Sequence, residues 1–288
     1  MKKFLVALAC VSIFLTSGCF KRDEFEDITI YTSNYPIAYI TNRLYGDHST
    51  VQSIYPNGVS MNSYDLTEKQ LEDYSQGNLF IFNGLLEKEK NYVIQMFNSN
   101  KNLKIIDASL SMDYTNDLTE VWLNPSNFLM LAQNIKAGLG EYITNQYLIN
   151  EINEKYEELK LEVSEIDAKI KLIAESSSNK LLVTSSDAFK FLEKYGITVI
   201  SLEENENLTE KVINDVTSLI NQGKINYIYL RNDEEMNATV KKIVDQTKVQ
   251  TLTFHSLMTI SDEEQNNEQD YIQIMNENIE LLKQELYD

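Results

Sequence analysis

The sequence predicts an α/β protein with two lobes, each containing a mainly parallel sheet, joined by a long rigid helix. Two observations predict the lobes: short β-branched runs alternate with longer amphipathic runs over residues 28–107, and the same alternation returns over residues 180–287. A third observation is the helical pattern that separates them. The predicted divisions are a first lobe at 28–146, a linking helix at 147–176 and a second lobe at 177–288.

The individual elements follow from apolar periodicity and from start and stop signals. Thr67 with Gln70 forms a capping box, Asn34 followed by Pro36 is a second helix start, and Gly196 and Gly223 follow helices where a left-handed C-cap is expected. The predicted strands are 28–32, 50–54, 79–83, 104–107, 180–183, 198–201, 227–230 and 250–254. The predicted helices are 36–45, 67–74, 88–97, 187–195, 209–222, 234–247 and 269–287.

Residues 125–176 are expected to be helical almost throughout, with Asn124 as the cap and Pro125 in the first turn. A coiled coil is the alternative, but the apolar stripe is short and irregular for one. We therefore expect a helix that packs along one lobe and bridges to the other.

The first nineteen residues are typical of a targeting signal. Lys2 and Lys3 form a positive start, residues 4–15 are an apolar stretch too short to span a bilayer, and 16–19 read TSGC. This ending resembles the bacterial lipobox, in which the cysteine carries lipid, so Cys19 is the predicted lipid anchor; an ordinary secretory signal is the alternative. Cys10 would leave with the signal, and the mature chain would then have no thiol for a disulfide or a cysteine-ligated metal.

The composition limits the possible partners. Lys and Arg total 25 against 44 Asp and Glu, a net charge of −19, which argues against nucleic acid and against direct contact with anionic lipids and favours cations. The sequence has no P-loop, no G-x-G-x-x-G and no C-x-x-C motif. A triad of Ser186, Asp187 and His255 can be imagined, but no G-x-S-x-G elbow is present, so we expect no enzyme.

Polar segments follow several predicted strands at their carboxyl ends, where open parallel sheets bind ligands. If the two lobes face one another, these segments line a ligand cleft between them. They are residues 60–65, 116–124, 184–187 and 255–256.

Five segments in order resemble the zinc/manganese solute-binding lipoproteins of bacterial ABC transporters. They read TSNYPIAYITNRLYGDHSTVQSIYPNGVSMNSYDLT, LFIFNG, VWLNPSN, LLVTSSDAFKFLEKYGI and FHSLMTISDEEQNNEQDYIQIMNENIELL. The resemblance covers about the whole mature chain. It implies two α/β lobes joined by a rigid helix, one divalent metal ion between them, and delivery of that metal to an ABC transporter permease at the membrane. We expect a monomer.

The resemblance also implies four metal-ligand positions, at which this chain departs from the family pattern. Histidines of the family correspond to Asn62 and Glu120, the third ligand falls on Ser186, and the fourth falls on His255. Carboxylates near these positions are possible supporting ligands, and such an oxygen-rich set suits a harder ion better than zinc. They are Asp65, Asp117 and Asp187.

Each of these residues also has a simpler interpretation. Asn62 is a common turn residue, Ser186 is a natural helix N-cap, His255 ends an apolar strand where histidine is often partly buried, and Glu120 could be solvated. Two hypotheses follow. The protein captures zinc or manganese for import, or it is a family member with lost or altered metal binding that acts as a surface adhesin or accessory lipoprotein.

Overall fold

The computed structural model describes residues 23–61, 63–112 and 120–287 of the 288-residue chain. It contains two four-stranded sheets in which every neighbouring pair of strands is parallel. The α/β prediction with two parallel sheets is therefore confirmed. The predictions for Cys19, Asn62 and Asp117 fall outside the described residues.

The first sheet has the strand order β2-β1-β3-β4. Strand β1 lies between its neighbours, with Ile30 opposite Val51 of β2 and Leu79 of β3, so the first strand in sequence is central in space. The strands are β1 (Ile28–Thr32), β2 (Ser49–Ser53), β3 (Leu79–Phe82) and β4 (Lys104–Asp107). The helices are α1 (Tyr35–Tyr45), α2 (Glu68–Ser75) and α3 (Glu87–Ser99).

The helical stretch after the first sheet divides into two helices, α4 (Pro125–Tyr142) and α5 (Gln146–Ser176). The expectation of helix almost throughout residues 125–176 is confirmed, with a break at residues 143–145. There the Asp23 carboxylate accepts the backbone N–H groups of Thr144 and Asn145 at 2.9 and 2.7 Å, and the Asn145 side chain caps the new helix at Tyr147 N–H. A side chain more than a hundred positions away in sequence thus replaces the hydrogen bonds that a continuous helix would form.

The second sheet has the order β6-β5-β7-β8 and repeats the arrangement of the first. Its strands are β5 (Leu181–Thr184), β6 (Thr198–Ser201), β7 (Tyr227–Arg231) and β8 (Gln250–Phe254). The α-helices of this part are α6 (Glu210–Asn221), α7 (Ala238–Thr247), α8 (Asp262–Asn266) and α9 (Tyr271–Leu286).

Two predicted helices need correction, and three short elements were not predicted. Residues Asp187–Tyr195 form a 3₁₀ helix, and α7 begins at Ala238 instead of 234 because Asn237 supplies the N-cap to Val240 N–H. The sequence analysis also missed α8 and the two 3₁₀ turns at Gly46–His48 and Val121–Leu123. All of these are short elements, in which periodicity has little length to act on.

One large apolar core extends from the first sheet through α4 and α5 to one face of the second sheet, and a smaller core covers the opposite face of the second sheet. The predicted stripe on α9 is buried in the large core, as expected: Tyr271, Ile274, Met275, Ile279 and Leu282 are each at most 2% exposed. Among the described helices, none has an apolar stretch long enough to cross a membrane.

Alanine substitutions at two glycines are expected to change the stability of the protein in opposite directions, because the backbone conformations of the two glycines differ. Gly196 has φ +83° at the end of the 3₁₀ helix, whereas Gly140 lies within α4, and a Cβ added at either position meets nothing within 4 Å. Gly196→Ala is expected to cost about 1 kcal/mol because alanine is strained at positive φ. Gly140→Ala is expected to stabilise by up to about 1 kcal/mol through helix propensity. Thermal unfolding of the two variants measures both changes in stability. Changes in the same direction would contradict the assignment of Gly196 to a left-handed conformation and of Gly140 to a regular helix.

Candidate functional site

Arg231 is the last residue of β7, and its buried guanidinium holds three carboxylates at the carboxyl end of the second sheet. Its Nη2 lies 2.8 Å from Glu120 Oε1 and 2.7 Å from Asp233 Oδ2, and its Nε donates to Asp233 Oδ1 at 3.1 Å. Its Nη1 lies 3.2 Å from Glu234 Oε1. Burial by itself would lower the pKa of Arg231, but the bonds and charges of these carboxylates raise that pKa above its ordinary value.

The pair of Glu120 and Arg231 joins the two halves of the chain. Glu120 precedes the 3₁₀ turn Val121–Leu123, and both side chains of the pair are almost fully buried. The adjacent Trp122 anchors this turn, since its indole Nε1–H donates to the Ser256 carbonyl at 2.8 Å and its own carbonyl accepts from the Tyr271 hydroxyl at 2.7 Å. The interpretation of Glu120 as a solvated side chain is therefore wrong.

Ser186 is the N-cap of the 3₁₀ helix, which confirms the simpler interpretation of that residue. Its hydroxyl accepts the Ala188 N–H at 3.2 Å and lies 3.2 Å from Glu203 Oε2, to which it donates. The same Glu203 oxygen accepts the Asp187 N–H at 2.5 Å. Glu203 therefore fixes the start of this helix and brings a further carboxylate to the edge of the second sheet.

His255 follows β8 and has both ring nitrogens engaged. Its Nδ1 accepts the Leu257 N–H at 2.9 Å, so a neutral ring carries its proton on Nε2, which lies 3.1 Å from Glu264 Oε1. Burial lowers the pKa of His255, and the neighbouring Glu264 carboxylate opposes this effect. Glu264 also accepts the backbone N–H and hydroxyl of Ser261, so it serves as the N3 residue of the α8 capping box.

Three carboxylates contact Arg231, and a fourth, that of Glu203, acts electrostatically on Glu234. We call Glu120, Glu203, Asp233 and Glu234 the carboxylate cluster. Burial raises the pKa of Glu234; Arg231 opposes this, and the charges of Asp233, Glu120 and Glu203 raise the pKa further. The net upward shift has burial as its largest cause, and the neighbouring carboxylates add to it.

The two supporting positions that the structure describes have lysine partners. Asp65 Oδ1 lies 2.8 Å from Lys88 Nζ and its side chain is 88% exposed. Asp187 Oδ2 lies 2.7 Å from Lys190 Nζ. The first pair is on the surface and the second is partly buried, with Asp187 22% exposed; a role as metal ligand stays a prediction for both carboxylates.

Within the described residues, no group of three or more His, Cys, Asp or Glu side chains has an arrangement that could hold a metal ion. The three predicted ligand positions that are described each have another contact: Glu120 with Arg231, Ser186 with Glu203 and His255 with Glu264. The side chains as arranged therefore do not fit a metal ion, and a metal at Glu120 has to displace Arg231.

A cavity of about 250 Å³ lies at a separate position between the two halves. Glu120, Ser186 and His255 are not among the residues that line it. Its walls combine tyrosines, amides and aliphatic side chains, including Asn34, Tyr39 and Tyr55 from the first half and Met258, Ile260 and Gln269 from the second.

Sequence reasoning missed Arg231, Asp233, Glu203 and Glu264. A signal was present for the first two, because β7 continues into Arg-Asn-Asp-Glu-Glu at residues 231–235, and the carboxyl end of a parallel strand is where functional side chains are expected. No local pattern marks Glu203 or Glu264 as partners of Ser186 and His255. Those contacts depend on how loops from different strands come together.

Two parallel sheets joined by a long helix, with charged side chains gathered at the strand ends, define the class of two-lobe solute-binding proteins. The family model described as "ZnuA: Zinc-uptake complex component A periplasmic" matches residues 30–285. This chain belongs to that family, whose members are substrate-binding proteins of ABC transporters and not enzymes.

Similar proteins carry names that concern several metals. The chain is 25% identical over 240 residues to the iron ABC transporter substrate-binding lipoprotein MtsA of Streptococcus pyogenes serotype M1, covering 77% of each chain. It is 24% identical to the manganese ABC transporter substrate-binding lipoprotein PsaA of Streptococcus mitis over 99% of each chain. The names therefore define the transporter class and leave the metal open.

Solved structures support the fold. The metal-dependent lipoprotein YcdH of Bacillus subtilis superposes with a TM-score of 0.76 at 20% identity, covering 91% of this chain and 100% of that one. The Zn(II)-bound ZnuA-like domain of AdcA from Streptococcus pneumoniae superposes with a TM-score of 0.75 at 19% identity, with the same coverage. The prediction of a two-lobe metal-transporter fold is confirmed.

Proposed function

We propose that this protein is the extracytoplasmic solute-binding component of an ABC importer, anchored to the cell membrane through a lipid on Cys19. It captures a divalent metal ion, zinc or manganese, between its two halves and delivers it to the transporter permease. The names of the relatives support a metal as cargo, and the lipobox-like segment supports the anchor. Asn62, Glu120, Ser186 and His255 are the proposed ligand positions.

The observation that carries this proposal is the gathering of carboxylates at the strand ends of the second sheet. Arg231 contacts the carboxylates of Glu120, Asp233 and Glu234, and burial raises the pKa of Glu234. Carboxylate oxygens are good ligands for manganese. The overall net charge of −19 also attracts cations toward the protein.

One observation favours a second candidate function. Because Glu120 is already neutralised by a buried arginine, the protein could keep the fold and the anchor while no metal binds. It would then act as an accessory lipoprotein or a surface adhesin. The two candidates differ in a single measurable property, which is metal binding by the wild-type chain.

Metal binding is tested by elemental analysis of the mature lipoprotein, purified in detergent without added metal, and by its melting temperature with and without Zn²⁺ or Mn²⁺. A ligand that binds only the folded state stabilises it, by about 2.7 kcal/mol at one hundred times its dissociation constant. We expect a rise in melting temperature with metal that His255→Ala reduces.

The chain supplies a matched control in its other histidine, His48. The Nε2 atom of His48 lies 3.0 Å from Glu151 Oε2, and this pair is separate from the carboxylate cluster. His48→Ala is expected to retain the full metal-dependent rise. If wild-type protein contains no metal and shows no rise with either ion, metal capture is excluded and the accessory role is favoured.

A further inference from the structure

We propose that the cavity between the two halves is a second ligand site, which binds a small neutral molecule rich in hydroxyl groups, such as a monosaccharide or a polyol. The cavity has a volume of about 250 Å³, and its wall is built from residues between positions 34 and 57 and between positions 258 and 269. This inference goes beyond the proposed function. The three described ligand positions of the metal do not line this cavity, so metal capture does not depend on it.

Hydrogen bonds between the two halves hold the cavity wall together. Asn57 of the first half donates through Nδ2 to Asp262 Oδ1 at 2.9 Å and to Gln265 Oε1 at 2.7 Å. The next residue, Gly58, donates its N–H to the Ile260 carbonyl at 3.0 Å. Asn57, Gln265 and Ile260 all line the cavity. The two parts of the wall are therefore fixed relative to each other by direct bonds.

The polar groups of the wall are mainly neutral amides and hydroxyls. An amide has one acceptor oxygen and two N–H donors, and a hydroxyl both donates and accepts. Such a wall matches a ligand whose hydroxyl groups also donate and accept. The amides are those of Asn34, Asn42, Asn57, Gln265 and Gln269.

Asn34 supplies a donor that the protein itself does not use. Its Oδ1 accepts the Ile37 N–H at 3.1 Å as the N-cap of α1, which leaves its Nδ2 for another partner. This Nδ2 is buried and has no hydrogen-bond partner among the described residues, and Asn34 lines the cavity. A buried donor without an acceptor is costly. A ligand oxygen that reaches Nδ2 removes that cost.

Tyrosine rings supply the apolar part of the wall. The rings of Tyr35 and Tyr39 have centroids 6.2 Å apart and planes tilted by 44°, and both residues line the cavity. Aromatic faces of this kind pack against the C–H groups of a sugar ring or a polyol chain, while the amides bind its hydroxyls. Pockets for drug-sized ligands have about 300–1,000 Å³, so this cavity suits a smaller molecule.

The charges at the wall disfavour an ionic ligand. Among the described residues that line the cavity, none is Lys, Arg or His, so an anion finds no positive partner there. Glu268 is an acidic residue of the wall, but it is exposed, so water and salt screen its attraction for a cation. Burial raises the pKa of Tyr35, and the charges of Asp270 and Glu264 raise it further, so that the phenol stays neutral.

The test measures binding of neutral and ionic probes to the mature protein by calorimetry, in a detergent without a sugar headgroup. The neutral probes are glucose, mannose, ribose and glycerol, and the ionic probes are choline and lactate. We expect at least one neutral probe to bind and both ionic probes to bind more weakly. Absence of binding for every neutral probe overturns the inference, and so does tighter binding of choline or lactate.

Ala38→Leu tests whether the bound probe occupies this cavity. Ala38 lines the cavity from α1, and leucine fills part of the space while remaining a good helix former. We expect the affinity for the neutral probe to fall by about tenfold or more, a loss that calorimetry resolves readily. The matched control is Ala137→Leu at an exposed position of α4 that does not line the cavity. Equal affinities of Ala38→Leu and Ala137→Leu would overturn the inference, because the probe would then bind elsewhere.

Asn42→Ala tests the role of the amides and does not depend on the fold of Ala38→Leu. Asn42 is an exposed residue of α1 at the cavity wall, so alanine there favours the helix. Loss of one neutral hydrogen bond to the probe is expected to weaken binding about three- to tenfold. Asn91→Ala, at an exposed position of α3 away from the cavity wall, is the matched control and is expected to bind as wild type. An unchanged affinity of Asn42→Ala would contradict recognition of hydroxyl groups by these amides.

Discussion

Replacement of Trp122 by alanine is expected to lower the free energy of unfolding by about 3–5 kcal/mol, the range found for large aromatic residues in protein cores. Trp122 has no exposed surface, and its indole N–H donates to the Ser256 carbonyl, which follows β8 of the other half. The alanine variant loses the buried ring and leaves that carbonyl without its donor. Urea denaturation of the mature protein measures the change.

Two control variants separate the ring from its hydrogen bond. Trp122→Phe keeps most of the apolar area but removes the donor, and we expect it to cost about 1–3 kcal/mol. Tyr147→Ala alters an aromatic residue that is 71% exposed and is expected to change stability by less than about 0.5 kcal/mol. A loss below about 1 kcal/mol for Trp122→Ala would contradict the role of Trp122 as the anchor between the halves.

Replacement of Glu89 by glutamine is expected to change how stability depends on pH. Glu89 lies in the first turn of α3, has no exposed surface, and accepts the Asn83 N–H at 2.7 Å. Burial raises the pKa of this carboxyl to about 8 from 4.5. The folded protein therefore keeps Glu89 protonated over a range in which the unfolded chain has already lost that proton.

The sign of the effect follows from proton linkage. A buried carboxyl group with a raised pKa makes its full contribution to the stability of the folded protein below pH 4.5. That contribution falls as the pH rises toward 8, by at most about 1.4 kcal/mol per pH unit. Glutamine does not titrate and can still accept the Asn83 N–H. We therefore expect Glu89→Gln to gain stability relative to wild type between pH 5 and pH 8, with the difference growing as the pH rises.

The measurement is a series of urea denaturations from pH 4.5 to pH 8.5 on both proteins. Glu87→Gln, on the exposed side of the same helix, is the matched control and is expected to follow the wild-type profile, since its side chain is 81% exposed. A constant difference between Glu89→Gln and wild type across this range would show that Glu89 is ionised in the folded state.

Much of the fold followed from local patterns in the sequence. Strands β1, β4, β6 and β8 have the predicted bounds, and the caps at Asn34, Thr67, Asn124 and Ser186 all form. These features depend on residues within a few positions of one another, so alternation and capping patterns are sufficient to predict them. The break at residues 143–145 was missed because Asp23, which stabilises it, is distant in sequence.

The candidate site was likewise predicted from the sequence only in part. The rule that functional side chains follow parallel strands predicted the segments that contain Glu120, Ser186 and His255. It did not predict their partners, and the partners decide what these residues can do. A carboxylate paired with a buried guanidinium is less available to a metal ion than a carboxylate in water. The residue type alone does not show which of these two environments a carboxylate has.

By itself the sequence determined that this chain forms two parallel α/β sheets with polar segments at their carboxyl ends, because those properties come from local periodicity and chain direction. Only the tertiary structure decided that Arg231 lies among Glu120, Asp233 and Glu234. Charge pairing acts through space, so its outcome depends on which strands are neighbours and how far each side chain reaches. Residues more than a hundred positions apart thereby determine whether a metal ion finds free carboxylates.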